Sequence, residues 1–175
     1  MLIHCSHHAN SDYVRQSFPN AEIYNNEAVP VLSQGVNLFG DAVDYTVPSS
    51  LSLFSIDLYH FDGPDPAFVS SQVQAFYTEY VYPLLSPGQL AMLVPGSYGS
   101  LTNPACNLTC YDAMCTVDAW NFIAWANSDP MIAGLAVWNW SGCPGCVQIH
   151  DEIGTVMLNS TATAWMQIGA AIKNT

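Results

Sequence analysis

Leu51 to Pro95 reads LSLFSIDLYHFDGPDPAFVSSQVQAFYTEYVYPLLSPGQLAMLVP, and this stretch decides the fold class. Leu51 to Tyr59 is rich in β-formers and stops at Asp62-Gly-Pro-Asp-Pro66, which predicts a strand. After Pro66 the apolar residues Phe68, Val69, Val73, Phe76, Tyr80 and Leu84 recur three and four apart, one stripe over about four turns of helix. Asp65 stands where a cap belongs, and Ser86-Pro-Gly88 closes the segment. Leu90 to Pro95 is short and wholly apolar, the composition of a strand buried on both faces. Strand, helix, strand without a hairpin turn predicts a parallel βα unit.

The alternation extends in both directions. Downstream, Tyr111 to Ser128 reads as a helix, Ala133 to Asn139 as another strand and Ala162 to Ile172 as a closing helix. Upstream, Leu2 to Cys5 has the pattern of a weak strand and Ser11 to Phe18 that of a short helix. Ala21 to Asn25 reads as a strand that runs into Asn25-Asn26-Glu27, and the residues from there to Leu51 are poorly patterned. No repeat, low-complexity tract or Gly/Ser linker interrupts the chain, so residues 1–175 are expected to form a single α/β domain.

Charge excludes several partners. Only Arg15 and Lys173 oppose 14 carboxylates, for a net charge of −12, so nucleic acid and anionic membrane surfaces are repelled. Tyr80 to Tyr111 and Pro130 to His150 lack any charged residue, yet each is broken by Pro, Gly, Asn and Ser. Neither supplies the roughly 20 consecutive apolar residues of a membrane span. With 50% hydrophobic residues and 12% aromatics, the chain can bury a substantial core.

Independent signals indicate export. Asn107-Leu-Thr109, Asn139-Trp-Ser141 and Asn159-Ser-Thr161 are N-glycosylation acceptor triplets. Among the 6 cysteines, Cys106, Cys110 and Cys115 cluster in one segment and Cys143 and Cys146 in another, which makes them candidates for disulfides stapling long loops. Cys143-Pro-Gly-Cys146 also has redox-motif spacing, but no cations accompany it, and the structural reading carries more weight. Met1-Leu-Ile-His-Cys5 turns polar at once, so an exported chain is expected to have lost its leader or its N-terminal part.

Parallel βα units build either an open doubly wound sheet or a closed barrel. Neither Gly-x-Gly-x-x-Gly nor Gly-x-x-x-x-Gly-Lys occurs, and Gly96-Ser-Tyr-Gly99 is too short and cation-free to cradle phosphates, so no nucleotide cofactor is expected. Polar and aromatic residues gather instead where the strands are expected to finish: Asn25 to Glu27, then Asp57, Tyr59 and His60, and finally Trp138 to Trp140. In a (β/α)8 barrel such strand ends converge on the active face.

Two of these strand ends carry a family resemblance. Ile23-Tyr-Asn-Asn-Glu27 resembles the Asn-Glu ending of barrel strand four in clan A glycoside hydrolases, where the Glu is the acid/base. Ala136-Val-Trp-Asn-Trp140 resembles the Trp-bearing last strand of the same barrels, whose indole floors the sugar site. A looser similarity runs through Ser55 to His60 and Leu93 to Gly96. The resemblance implies a (β/α)8 TIM-type barrel, of which this chain would supply the C-terminal half to two thirds, since a whole barrel takes about 250 residues. Half a barrel exposes sheet edges, so self-association is the expected consequence of truncation. The pattern departs at Leu93-Val-Pro-Gly-Ser-Tyr98, where the family places a nucleophilic Glu and this chain has no carboxylate.

The chemistry so implied needs two carboxyls flanking a glycosidic bond, about 5 Å apart for retention and roughly 6.5–9.5 Å for inversion. Glu27 is the candidate acid and Asp57 its partner, because strand alternation puts Asp57 and Tyr59 on one face and the aliphatic Ile56 and Leu58 on the other, helix-covered one. Strand-end carboxylates also serve simply to bond backbone amides. Asn26, Tyr59, His60, Trp138 and Trp140 are the candidate substrate-binding residues, with indole stacking on a sugar face weighed against core packing. His4, Cys5, His7 and His8 fit no closed tetrahedral spacing, so no metal is expected. The expected function is a secreted glycoside-hydrolase-like protein that acts on or binds a glycan. The alternatives are an inactive carbohydrate-binding pseudoenzyme and a structural secreted domain.

Overall fold

The computed structural model describes residues 4–28, 46–57, 66–96, 98–100, 106–137, 146–148 and 158–173. In chain order these form α1 (His4–Ser17), β1 (Tyr24–Ala28), β2 (Leu53–Asp57), α2 (Pro66–Phe76), β3 (Leu90–Leu93), β4 (Tyr98–Ser100), α3 (Leu108–Ser128), β5 (Ile132–Leu135), β6 (Cys146–Gln148) and α4 (Asn159–Lys173). Helix α2 continues through a π turn, Tyr77–Val81, and a 3-10 turn, Tyr82–Leu84. The chain is an α/β protein whose main sheet has the order β1-β2-β3-β5, every neighbouring pair parallel. Spatial order therefore equals chain order, without the reversal that marks a doubly wound sheet.

Period-two alternation sorts the strand residues. Phe54, Ile56, Ala91, Leu93 and Ile132 are buried, beneath Val73, Tyr77 and Val81 of α2 and its π turn and Phe122 and Trp125 of α3. The helix residues recur at three and four, so each helix presents one apolar stripe to one face of the sheet. Tyr77 meets Trp125 edge to face at 5.4 Å between ring centroids. On the opposite face Leu53, Asp57, Leu90 and Met92 are only half-buried. The expectation that β3 is sealed on both sides is thus corrected: Leu90 and Met92 are half-buried, and among the described residues helices pack against the other side.

Tyr77 also enters the ladder itself. Register between β2 and β3 runs Leu53 to Leu90 and Phe54 to Ala91 and then stops. At the next rung the Tyr77 hydroxyl accepts from the Ile56 amide at 3.4 Å and donates to the Met92 carbonyl at 2.8 Å. One phenol thereby satisfies a buried donor and acceptor that the diverging strands no longer supply to each other. Burial holds this phenol well above the usual tyrosine range.

Two further connections shape the termini. The expected strand at Leu2 to Cys5 is corrected at His4 and Cys5, which begin α1, while Leu2 and Ile3 lie outside the described residues. Helix α1 is tied down by Arg15, whose guanidinium donates to the carbonyls of Pro19, Ala21 and Ser50 and to Ser52 Oγ over 2.8–3.2 Å. An antiparallel ribbon that the patterning does not announce joins β4 to β6, pairing Tyr98 with Gln148 and Ser100 with Cys146. It links the segments that follow β3 and β5.

Helix α3 starts at the Asn107 cap, whose side chain accepts from the Cys110 amide at 3.0 Å. It ends at Asp129, which accepts from Trp125 Nε1, the Met131 amide and the Tyr82 hydroxyl. Burial raises the Asp129 pKa, but these three donors outweigh it and hold the carboxyl below the usual range. Because Asp129 leads straight into β5, the far end of α3 lies toward the carboxyl ends of the strands. Helix α4 begins at that same end, since Asp112 accepts from the Ser160 amide at 3.0 Å and the Thr161 amide at 2.9 Å. A carboxylate from one helix thus serves as the missing N-cap of the next.

Candidate functional site

The half-exposed face of the sheet carries a row of polar side chains. Register aligns Tyr24, Asn26 and Ala28 of β1 with Leu53, Ser55 and Asp57 of β2, so that Tyr24, Asn26, Ser55 and Asp57 share one side. Ser55 Oγ donates to Asn26 Oδ1 at 2.5 Å, and its contact with the Tyr24 hydroxyl is 2.7 Å. A serine has one proton to give, and Asn26 receives it, so Tyr24 is the donor to Ser55. Asn26 Nδ2 in turn donates to Asp57 Oδ1. The result is a one-way rail, Tyr24 to Ser55 to Asn26 to Asp57, that climbs toward the carboxyl end of the strands.

Burial varies along the rail. Ser55 is fully buried and Tyr24 is 43% exposed, while Asn26 and Asp57 lie between. Desolvation raises the Tyr24 pKa, its bond to Ser55 lowers it, and the nearby Asp57 charge raises it again, with a net upward shift. The phenol therefore remains a proton donor through the physiological range. The rail ends on the half-buried Asp57 carboxylate, whose second oxygen receives no hydrogen bond among the described residues. A carboxylate, a carboxamide and a phenol in sequence present the alternating acceptors and donors that match neighbouring hydroxyls of a polyol.

Glu27 does not join them. It pairs in register with Ile56 and, with Asn25, lies on the helix-covered side. Asn25 Nδ2 donates to Glu27 Oε1 at 2.8 Å, which occupies one carboxylate oxygen locally. The expectation that Glu27 and Asp57 flank one bond is overturned: parallel register sends them to opposite faces. The signal was present in Ile23, which packs against the core cluster and shares its face with Asn25 and Glu27. Asp57 itself, with Ile56 on the opposite, packed side, lies as the alternation of β2 requires. Tyr24 and Ser55, not singled out by the sequence, complete the row.

Several expected residues lie outside the described residues: Tyr59, His60, Trp138, Asn139, Trp140 and Cys143. Of the cysteines, Cys106 and Cys110 form a disulfide with Cα atoms 5.3 Å apart, across the start of α3. Cys115 stands apart from that bridge, buried with Tyr111, Met114 and Leu158. No group of three or more His, Cys, Asp or Glu that could hold a metal occurs among the described residues, and no described helix is long and apolar enough to cross a membrane.

One more carboxyl is notable. Asp118 of α3 is 2% exposed, and burial pushes its pKa up to about 7. Among the described residues one surface hollow touches the Tyr24 end of the rail and another lies apart from it. One, of about 180 Å³, is bounded by Ser11, Val14, Ile23, Tyr24, Pro48 and Leu51 at the amino end of the strands. The other, of about 410 Å³, lies between α3 and α4 against Trp120, Ile123, Ala124, Ile168 and Ala171. Neither reaches Asn26 or Asp57. Compared with known proteins, the chain matches no family model, no curated protein and no solved structure.

Proposed function

We propose that this protein is an exported carbohydrate-binding relative of the glycoside-hydrolase barrels, in which the sheet is part of a (β/α)8 architecture and the rail on its half-exposed face binds sugar hydroxyls. One observation carries the reading: Tyr24, Ser55, Asn26 and Asp57 form a directional hydrogen-bonded row on the face opposite the helices, ending at the carboxyl end of β2. Strands in chain order, helices on one side of the sheet among the described residues and polar groups toward the carboxyl ends support the barrel reading.

Binding is favoured over cleavage because the two expected carboxyls occupy opposite faces. A hydrolytic pair must sit on both sides of one glycosidic bond, and Glu27 is separated from Asp57 by the sheet. Asp57 ends the row with a carboxylate, and a charged acceptor bonded to a sugar hydroxyl contributes about 1.5–3 kcal/mol. The Cys106–Cys110 bridge and the three acceptor triplets support export.

The test is a glycan array followed by calorimetry on the best oligosaccharide. Asp57→Ala is expected to weaken binding at least about tenfold, and Trp138→Ala is expected to abolish it. Glu27→Gln is expected to leave binding intact. Retained binding in Asp57→Ala overturns the rail as the binding surface. Hydrolysis of an aryl glycoside or polysaccharide that disappears in Glu27→Gln replaces the binding reading with an enzymatic one.

A further inference from the structure

The sequence presents three acceptor triplets as equals, and the fold sets two of them apart. Asn107 and Thr109 are both exposed, at the start of α3. Asn159 is also exposed, but its triplet partner Thr161 is fully buried. The Thr161 hydroxyl donates to Asp112 Oδ1 at 3.0 Å while its amide donates to the same oxygen at 2.9 Å. Enzymatic transfer needs the hydroxyl of the third residue beside the amide of the first, and residues two apart on a helix point away from each other. At Asn107 the corresponding hydroxyl, that of Thr109, is on an exposed residue and makes no tertiary hydrogen bond among the described residues. Freeing Thr161 breaks the Asp112 clamp.

The cap at Asn107 tolerates modification. Its Oδ1 accepts from the Cys110 amide, and among the described residues its Nδ2 makes no hydrogen bond. N-glycosylation forms a bond from Nδ2 to the anomeric carbon of a lipid-pyrophosphate-linked oligosaccharide. The carbon–oxygen bond to that pyrophosphate breaks, the lipid pyrophosphate leaves with the electron pair, and Nδ2 loses one of its two protons. Oδ1 takes no part, so the helix cap survives the reaction.

We propose that Asn107 is glycosylated in preference to Asn159 and that the Asp112–Thr161 clamp keeps Asn159 under-occupied. The glycan then stands within the span of the Cys106–Cys110 bridge, at the end of α3 that lies toward the carboxyl ends of the strands. This rests on export alone and is independent of sugar binding by the rail.

The experiment secretes the full chain from a eukaryotic host behind a cleavable leader and measures site occupancy. Enzymatic deglycosylation in heavy-oxygen water followed by peptide mass spectrometry tags each formerly modified asparagine. Near-complete occupancy at Asn107 and a lower fraction at Asn159 are expected. Thr109→Ala removes the Asn107 glycan alone. Asn107→Asp does the same while keeping a capping oxygen, so its melting point stays at that of the enzymatically deglycosylated parent. Asp112→Ala raises occupancy at Asn159. An unmodified Asn107 in secreted protein overturns the proposal, as does an Asn159 occupied as fully as Asn107. If Asp112→Ala is not secreted, Thr161→Ser, which keeps the acceptor pattern and weakens the packing, takes its place, with the same rise expected.

Discussion

The two faces of the parallel sheet differ in kind although they share one backbone. One carries Phe54, Ile56, Ala91, Leu93 and Ile132, sealed beneath α2 and α3. The other carries Tyr24, Asn26, Ser55 and Asp57, joined by hydrogen bonds that each have a donor and an acceptor. Apolar contact is non-directional and scales with area, so the packed face supplies cohesion. Hydrogen bonds are directional and nearly balanced against water, so the rail supplies orientation and contributes less to stability. Apolar cohesion and the proposed recognition surface are thus separated by the thickness of one strand.

Core truncation is the strongest way to break this comparison. Phe54→Ala is expected to cost about 3–5 kcal/mol in urea unfolding, because Phe54 is fully buried. Leu53→Ala, one residue along on the half-exposed face, should cost well under half as much. Equal losses would mean that both faces are packed.

Next comes pH, where the packed side has its own exception in Asp118. Its folded pKa of about 7 lies above the ordinary aspartate value of 3.8, so the native state holds the proton more tightly than the unfolded chain. The stabilisation is fully present below pH 3.8 and is lost as pH rises through about 7, an effect on the order of a few kcal/mol. Asp112 has the opposite sign. Burial raises its pKa, but bonds from Thr161 and Ser160 outweigh it and lower the pKa below 3.8. Its stabilisation is present above that value and is lost in stronger acid. Urea midpoints should therefore decline from about pH 4 to about pH 7, the window set by the Asp118 shift alone, and Asp118→Asn should flatten that decline. A steep decline in Asp118→Asn assigns the titration to another group.

Smaller effects refine the boundary between the faces. Tyr77→Phe leaves the Ile56 amide and the Met92 carbonyl without their shared partner and should cost about 1–3 kcal/mol. Ser55→Ala cuts the rail at its buried middle, with a similar cost to stability and an added loss of glycan affinity. Glu27→Gln should change stability by less than about 0.5 kcal/mol, since its carboxylate is only half-buried and bonds to a neighbouring amide. A large effect of Glu27→Gln on glycan affinity would join the two faces functionally and undo their separation.

Much of the fold was legible from local pattern. The strand at Leu53–Asp57, the helix after Pro66, the strand at Leu90–Leu93 and the long helix to Ser128 all follow from apolar periods of two and 3.6. The turn at Ser86-Pro-Gly88 is legible too, with Gly88 at a φ of +89°, a conformation that favours glycine. What escaped was relational. The antiparallel pairing of Tyr98–Ser100 with Cys146–Gln148 joins residues almost 50 apart, and neither three-residue strand has a pattern of its own. The apolar stripe through Tyr80 and Leu84 carries the helix past Phe76, but no periodicity announces that the continuation takes a π turn, from which Tyr77 reaches between β2 and β3.

The site divides in the same way. Alternation within β2 was enough to send Asp57 and Ile56 to opposite sides, since that strand carries its apolar residues in plain view. In β1 the polar run Asn25-Asn26-Glu27 hides the alternation, and the more reactive residue drew the assignment although Ile23 marks the face of Glu27. By itself the amino-acid sequence determined the class of fold, the parallel arrangement and the charge that repels polyanions, because these follow from local period and composition. Only the tertiary structure decided which polar groups meet, because inter-strand register is set by the packing of whole elements, and a shift of one residue exchanges the two faces.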